Sequence, residues 1–238
     1  MENIREETLN IQAHDGGLFE AYAFFPATPA PAPAVLVIQE IFGVNGAMRE
    51  ICRDLAKQGY LAVAPDLFWR QEPRVQLTDK TPAEWDRAMH FFKGFSLDFG
   101  ISDLTAALDA VRKHASCSGK AGTMGYCLGG QLAWLMGTRS NADCNVSYYG
   151  VGLDGFLGEA ANIKKPLLMH IAAEDKYVPP EAQQKIIAAM KPLKHVQAHV
   201  YPQVDHAFAR PGGQHFNAKA ALLANGRTDA FLKEYLQG

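Results

Sequence analysis

The run Thr123-Met124-Gly125-Tyr126-Cys127-Leu128-Gly129-Gly130 passes from β-prone and small residues, through a glycine-flanked turn, into an apolar helical pattern. This is the layout of a nucleophile elbow, G-x-S-x-G, with sulfur in place of the usual hydroxyl. Such a turn holds the nucleophile in a strained backbone conformation, so side chains two positions to either side must be almost absent. Gly125 and Gly129 meet that need. The alternative is a glycine-rich turn around a buried structural cysteine, since free cysteine is among the most buried residue types.

Proteins built on such an elbow carry an acid and a histidine after the nucleophile, in that order. Leu167-Leu168-Met169-His170-Ile171 reads as a buried strand and runs into the acidic loop Ala172-Ala173-Glu174-Asp175-Lys176-Tyr177-Val178-Pro179. His199-Val200-Tyr201-Pro202 reads as a last short strand, followed by Gln203-Val204-Asp205-His206-Ala207-Phe208. Asp175 lies 48 residues after Cys127 and His206 lies 31 after Asp175, each interval long enough for a strand, a helix and their loops. Cys127, Asp175 and His206 therefore fall in the required order, each just past a predicted strand. Among the other histidines, His170 sits inside an apolar strand and reads as a satisfied core residue. His195 and His199 flank a strand, and His215 lies in a glycine-rich loop.

A chain of 238 residues, 48% hydrophobic and 20% charged, can bury a large core as a single domain spanning 1–238. A net charge of −2 gives no reason to expect nucleic acid or an anionic membrane as partner. There is no apolar stretch long enough to span a bilayer. The start, Met1-Glu2-Asn3-Ile4-Arg5-Glu6-Glu7, lacks the apolar core of a signal peptide, which points to the cytoplasm. Cys52, Cys117, Cys127 and Cys144 have no C-x-x-C spacing, which argues against zinc or a redox pair and for free thiols.

Two runs, Thr8–Gln12 and Phe19–Phe25, flank Asp15-Gly16-Gly17 and predict an antiparallel hairpin. Pro26 to Pro33 reads as a Pro/Ala loop. Ala34-Val35-Leu36-Val37-Ile38 is continuously apolar, as a strand buried on both faces requires. A helix is predicted from about Ala47 to Gln58, stopped by Gly59, then a buried strand over Tyr60–Ala64 broken by Pro65. The aromatic-rich stretch 66–97 reads as loops and a short helix over the site. Asp98–His114 has helical periodicity, with Ile101, Leu104, Leu108 and Val111 on one face. The elbow strand, an elbow helix to about Arg139, a strand at Val146–Tyr149 and helices near Pro180–Met190 and Ala218–Leu236 complete the series. Alternating strands and helices imply a mostly parallel central sheet with helices on both faces.

Taken together, Gln39-Glu40-Ile41-Phe42-Gly43, Gly125-Tyr126-Cys127-Leu128-Gly129-Gly130, Tyr148-Tyr149-Gly150-Val151-Gly152 and His206-Ala207-Phe208-Ala209-Arg210 make the chain resemble the dienelactone hydrolases (carboxymethylenebutenolidases). The similarity runs from about Ile38 to the C-terminal helix. The resemblance implies an α/β-hydrolase fold in a single domain, no cofactor or metal, and hydrolysis of a carboxylate-bearing dienelactone to maleylacetate in (chloro)catechol degradation. It assigns Cys127 as nucleophile, Asp175 as orienter and His206 as base, then acid. Ala207 departs from the pattern, since family members often carry Ser there. Fine specificity is the property that this departure touches.

Chemistry gives parts of the site on its own terms. A tetrahedral oxyanion needs two donors: the backbone N–H of Leu128 is one, and the loop after Ala34–Ile38 offers Ile41 as the second. Glu40 follows a buried strand at its carboxyl end, where ligands bind in open α/β sheets. A carboxylate there opposes a thiolate, and, in line with the resemblance, Glu40 is expected to keep Cys127 a neutral thiol until substrate arrives. A substrate carboxylate calls for guanidinium, and Arg70 and Arg210 stand where the resemblance places carboxylate-binding arginines. Phe42, Tyr148 and Phe208 each neighbour a motif and are candidates for stacking on a flat lactone, against the alternative of ordinary core packing. The expected partner is a small lactone, and the expected state a monomer or weak homo-oligomer. Two rival readings stay open: a general carboxylesterase or thioesterase of the same superfamily, and a non-catalytic small-molecule-binding relative.

Overall fold

The computed structural model describes residues 4–28 and 30–238. Met1–Asn3, in the opening stretch, and Pro29, in the Pro/Ala loop, lie outside the described residues. Two compact units divide the chain, one up to Gly122 and the other from Thr123.

In the first unit, β1 (Arg5–Gln12) and β2 (Leu18–Phe25) form the expected antiparallel hairpin, with Gln12 opposite Leu18. β2 also pairs antiparallel with β4 (Leu61–Pro65), which runs parallel to β3 (Ala32–Ile38). β3 and β4 are apolar throughout because neighbouring elements cover both their faces. Pro65 does not break β4. It is the terminal strand residue, opposite Ala21, a position where proline's missing N–H is tolerated. The crossover helix α1 (Gly46–Lys57) starts at Asn45, whose side chain accepts the Met48 N–H at 3.2 Å.

The 66–97 stretch holds more structure than its sequence suggests. It contains a twelve-residue helix, α2 (Pro82–Lys93), opened by Thr81 as cap and Pro82 at the first turn. Glu84 closes that turn by accepting from Thr78 N–H at 2.9 Å and from the hydroxyls of Thr78 and Thr81. The loop before α2 is held by side chains from elsewhere in the unit. Gln39 Oε1 accepts the Leu67 N–H at 3.0 Å, and Asn45 Nδ2 donates to Leu77 O at 2.8 Å. The buried carboxylate of Asp66 accepts the N–H groups of Phe68 and Arg74. Helix α3 (Leu97–Lys113) follows, its buried stripe including Ile101, Leu104, Leu108 and Val111.

Strand β5 (Cys117–Tyr126) leads into the second unit, where it runs parallel to β6 (Asn145–Tyr148), β6 to β7 (Leu167–Ala172), and β7 to β8 (Val196–Tyr201). Between these strands run α4 (Leu128–Arg139), a 3₁₀ segment over Leu153–Asn162 that the apolar pattern does not signal, and α5 (Pro180–Met190). α4 is buried from Leu128 to Gly137, hence its lack of a polar face. Strand β8 begins three residues earlier than its short apolar run suggests, because its first residues are half-buried or exposed and carry no continuous pattern. Strand β6 ends at Tyr148 rather than Tyr149, whose φ of 39° takes it out of the strand. α6 (Ala218–Leu232) gives way to a π-helical turn over Lys233–Gln237, so the last helix is shorter than its periodicity implies. Among the described residues, no helix is long and apolar enough to cross a membrane.

Candidate active site

Cys127 occupies a left-sided backbone conformation, φ 57° and ψ −115°, between the end of β5 and the start of α4. A β-carbon in this region costs energy, and such strain is held only where surrounding contacts dictate it. Those contacts are visible. Cys127 N–H donates to Tyr148 O at 3.1 Å, and Cys127 O accepts from Gln131 N–H at 3.1 Å. A side chain at Gly125 would place its Cβ 2.0 Å from Gly129 O, and one at Gly130 would lie 2.4 Å from Tyr148 O. The glycines therefore serve close backbone approach, and the alternative of a buried structural cysteine loses its support. Cys52 and Cys144 are buried, and burial pushes both thiols well above the usual range, whereas Cys127 is partly accessible and a free thiol.

Asp175 and His206 meet in the same unit. Asp175, three residues past β7, accepts from His206 Nδ1 at 2.8 Å with one oxygen and from the Tyr177 N–H at 2.9 Å with the other. His206 follows β8 and is 7% exposed. Its backbone N–H donates to Asp205 Oδ1 at 2.7 Å. Burial works against a charged imidazole, but the Cys127 sulfur and the Asp175 carboxylate outweigh it and push His206 up to about 10. Among the described residues, His206 Nε2 is buried without a hydrogen-bond partner. Asp175 fixes the orientation of the ring.

The remaining expected residues divide. Glu40 is a buried carboxylate two residues past β3, and Ile41 and Phe42 follow it in a tight loop where Glu40 bridges Gly43. Phe42 packs edge-on against Trp85 of α2, ring centroids 5.1 Å apart. Leu128 is the first residue of α4, so its N–H belongs to the free N-terminal turn of that helix. Arg210 is buried, and its Nε lies so near Gly213 that a Cβ there would be 2.7 Å away.

Arg70 departs from its expected role. Its guanidinium makes a fork with Asp103 at 3.1 and 2.7 Å and also reaches Asp15 at 2.6 Å, so protein carboxylates already occupy the geometry a substrate would need. Tyr148 departs as well. Its ring stacks on Tyr126 at 4.5 Å and its hydroxyl is taken up by Thr228 at 2.6 Å and Asn225 at 3.0 Å. Phe208 is fully buried between Tyr149 and Tyr201. Core packing, the alternative for both aromatics, describes what they do. His170 is the satisfied core histidine that its strand context implies, bonded to Tyr201 and Thr228 through its two ring nitrogens. Burial pushes it well below the usual imidazole range.

Three residues that the motif reading passes over belong to the site. Tyr149 and Tyr177 both set a ring edge-on to His206, at 5.0 and 4.9 Å. Asp205 binds the backbone of His206 and of Lys176 and pairs with the Lys176 ammonium at 2.9 Å, tying the two catalytic loops together. Tyr149 adjoins the motif Tyr148-Tyr149-Gly150, so sequence could have found it. Tyr177 and Asp205 carry no signal beyond proximity to Asp175 and His206.

Residues 19–236 match the model of the dienelactone hydrolase family. A protein of Azospirillum brasilense, named provisionally as a carboxymethylenebutenolidase, is 54% identical over 96% of this chain and 98% of its own. The carboxymethylenebutenolidase of Pseudomonas putida is 40% identical over 95% of each chain. A solved structure from Klebsiella pneumoniae subsp. pneumoniae, named provisionally as a dienelactone hydrolase, superposes with a TM-score of 0.85 at 25% identity, covering 98% of this chain and 100% of its own. The fold is accordingly that of the α/β-hydrolases, and the chain belongs to the dienelactone hydrolase family.

Proposed function

We propose that this protein is a carboxymethylenebutenolidase that opens a carboxylate-bearing dienelactone to maleylacetate through a thioester on Cys127. The observation that carries the reading is the strained, partly accessible Cys127, coupled to a His206 ring that Asp175 holds at 2.8 Å. His206 takes the thiol proton, the Cys127 sulfur adds to the lactone carbonyl, and the tetrahedral oxyanion is held by backbone N–H donors, that of Leu128 among them. Collapse breaks the ring C–O bond and leaves a resonance-stabilised enolate on the acyl chain, which takes its proton from the imidazolium and returns His206 to the neutral form. His206 then removes a proton from water, which attacks the thioester carbonyl, and the thiol leaves with that proton.

Glu40 supplies the control. A buried carboxylate two residues past β3, it is read, in line with the family pattern, as the group that disfavours a thiolate at residue 127 until substrate arrives. Glu40→Gln is expected to speed alkylation of Cys127 by iodoacetamide at neutral pH; an unchanged rate removes Glu40 from this role. Arg210 is the cation for the substrate carboxylate. The chain acts as one cytoplasmic domain without a cofactor, as a monomer or weak homo-oligomer, on a small lactone.

A second reading, a hydrolase of neutral esters or thioesters, is favoured by one observation: Arg70 is spent on Asp103 and Asp15. Loss of dienelactone ultraviolet absorbance by the wild type, abolished in Cys127→Ala, is the test. Arg210→Ala should raise KM for dienelactone far more than for phenyl acetate. Wild-type hydrolysis of phenyl acetate with no action on dienelactone selects the second reading.

A further inference from the structure

The imidazole of His206 has four kinds of neighbour. Asp175 takes Nδ1, the Cys127 sulfur acts on the ring, and Tyr149 and Tyr177 close in edge-on. Two of these groups are enclosed, Asp175 at 4% and Tyr149 at 2% exposed, and the thiol is partly accessible. Tyr177 differs, with 58% of its surface open to solvent although its ring centroid lies 4.9 Å from that of a buried histidine. Covering such a ring is favourable, since apolar surface is worth about 25 cal/mol for each Å² withdrawn from water.

The backbone that carries the ring is held in place, so its exposure is not that of a loose loop tip. The Tyr177 N–H is fixed on Asp175 Oδ1 at 2.9 Å. The preceding residue is clamped twice to Asp205, by its N–H at 3.2 Å and its ammonium at 2.9 Å. Glu174 N–H donates to Val204 O at 3.0 Å on the other side of Asp175, and Val178 N–H returns to Asp175 O. An aromatic ring that is more than half exposed, packed at right angles to the imidazole and carried on a tightly bonded loop, offers a stacking surface beside His206.

We propose that Tyr177 is a specificity-determining residue whose exposed ring forms the solvent-side wall beside His206 and stacks on planar, conjugated esters and lactones. The proposal rests on hydrolysis at Cys127 as read above, but not on the identity of the lactone. Stacking needs a π face on the ligand, so saturated substrates gain less from it. The hydroxyl is not required, because a ring face and not a hydrogen bond does the selecting.

The test compares kcat/KM for phenyl acetate with kcat/KM for ethyl acetate, as a ratio within each enzyme, so that partial loss of folded protein cancels. Tyr177→Ala and Tyr177→Leu should lower the planar-to-saturated ratio roughly 3- to 10-fold, the range that one aromatic pair adds beyond buried area. Tyr177→Phe should keep the wild-type ratio. A ratio unchanged or increased in both Ala and Leu variants overturns the proposal. So does a Phe variant that behaves like Ala, since the hydroxyl would then be responsible. Failure of the wild type on dienelactone leaves this comparison intact and falls on the lactone assignment alone.

Discussion

The two loops that carry Asp175 and His206 and the long segment between β4 and α3 are all irregular chain, yet they are held by opposite means. The catalytic loops are short, each begins at a strand end, and they bind each other. Glu174 reaches Val204 through backbone, Lys176 pairs with Asp205, and Asp175 takes the His206 ring. The 66–97 segment is held from outside, by Gln39, Asn45 and Asp103, whose partners lie 28, 32 and 33 or more residues away. Short loops inherit their place from the strands, whereas a long one takes its shape from side chains scattered through the unit.

Removing the charge at the centre of the catalytic loops should have the largest effect. Asp175→Asn leaves the loop but changes the proton that His206 Nδ1 sees, and kcat should fall about 10²- to 10⁴-fold. The raised imidazole pKa depends on this carboxylate together with the Cys127 sulfur. Labelling of Cys127 by iodoacetamide at pH 6 should therefore slow in the variant. Retention of both turnover and labelling would break the distinction drawn here, since the loops would then be scaffold like the longer segment.

The next effect falls in the 66–97 segment and should appear in stability. Asp103 is buried and accepts from Trp69 Nε1 at 2.8 Å as well as from Arg70. Asp103→Ala strands both donors, at a cost of about 2 kcal/mol once the partial exposure of Arg70 is allowed for. That corresponds to a fall in Tm of roughly 4–8 °C for a chain of this size. Arg70→Ala should likewise lower Tm, without altering the ratio of dienelactone to phenyl acetate turnover. A selective loss on dienelactone would restore Arg70 to substrate recognition.

The smallest expected effect is at Asn45, which caps α1 and ties Leu77. Asn45→Ala should cost about 1 kcal/mol in urea unfolding and increase amide exchange over residues 76–78. Loss of stability without faster exchange there would show that the cap alone matters and the tie does not.

How much of this was legible depends on distance along the chain. Cys127, Asp175 and His206 could be placed from order and strand ends because a parallel sheet delivers the carboxyl end of each strand to a loop. The hairpin, the apolar runs of β3, β4 and β7 and the helical faces were equally readable, since each is a local periodicity. Arg70 could not be read, because its role turns on Asp103 and Asp15 and no spacing announces that encounter. Tyr148 and Tyr149 show the same limit at one-residue scale. A φ of 39° at Tyr149 turns that ring toward His206 and leaves Tyr148 to the core.

By itself the amino-acid order determined the elbow and the succession of strands and helices, and it singled out the cysteine, acid and histidine proposed to cleave an acyl bond. These follow from steric need at glycines and from hydrophobic period, both properties of neighbouring residues. Only the tertiary structure decided which arginine is already paired, which aromatic ring meets the imidazole and how the acid's second oxygen is satisfied. Those outcomes arise where chain segments distant in sequence compete for the same polar partners, and burial makes the winning contact costly to exchange.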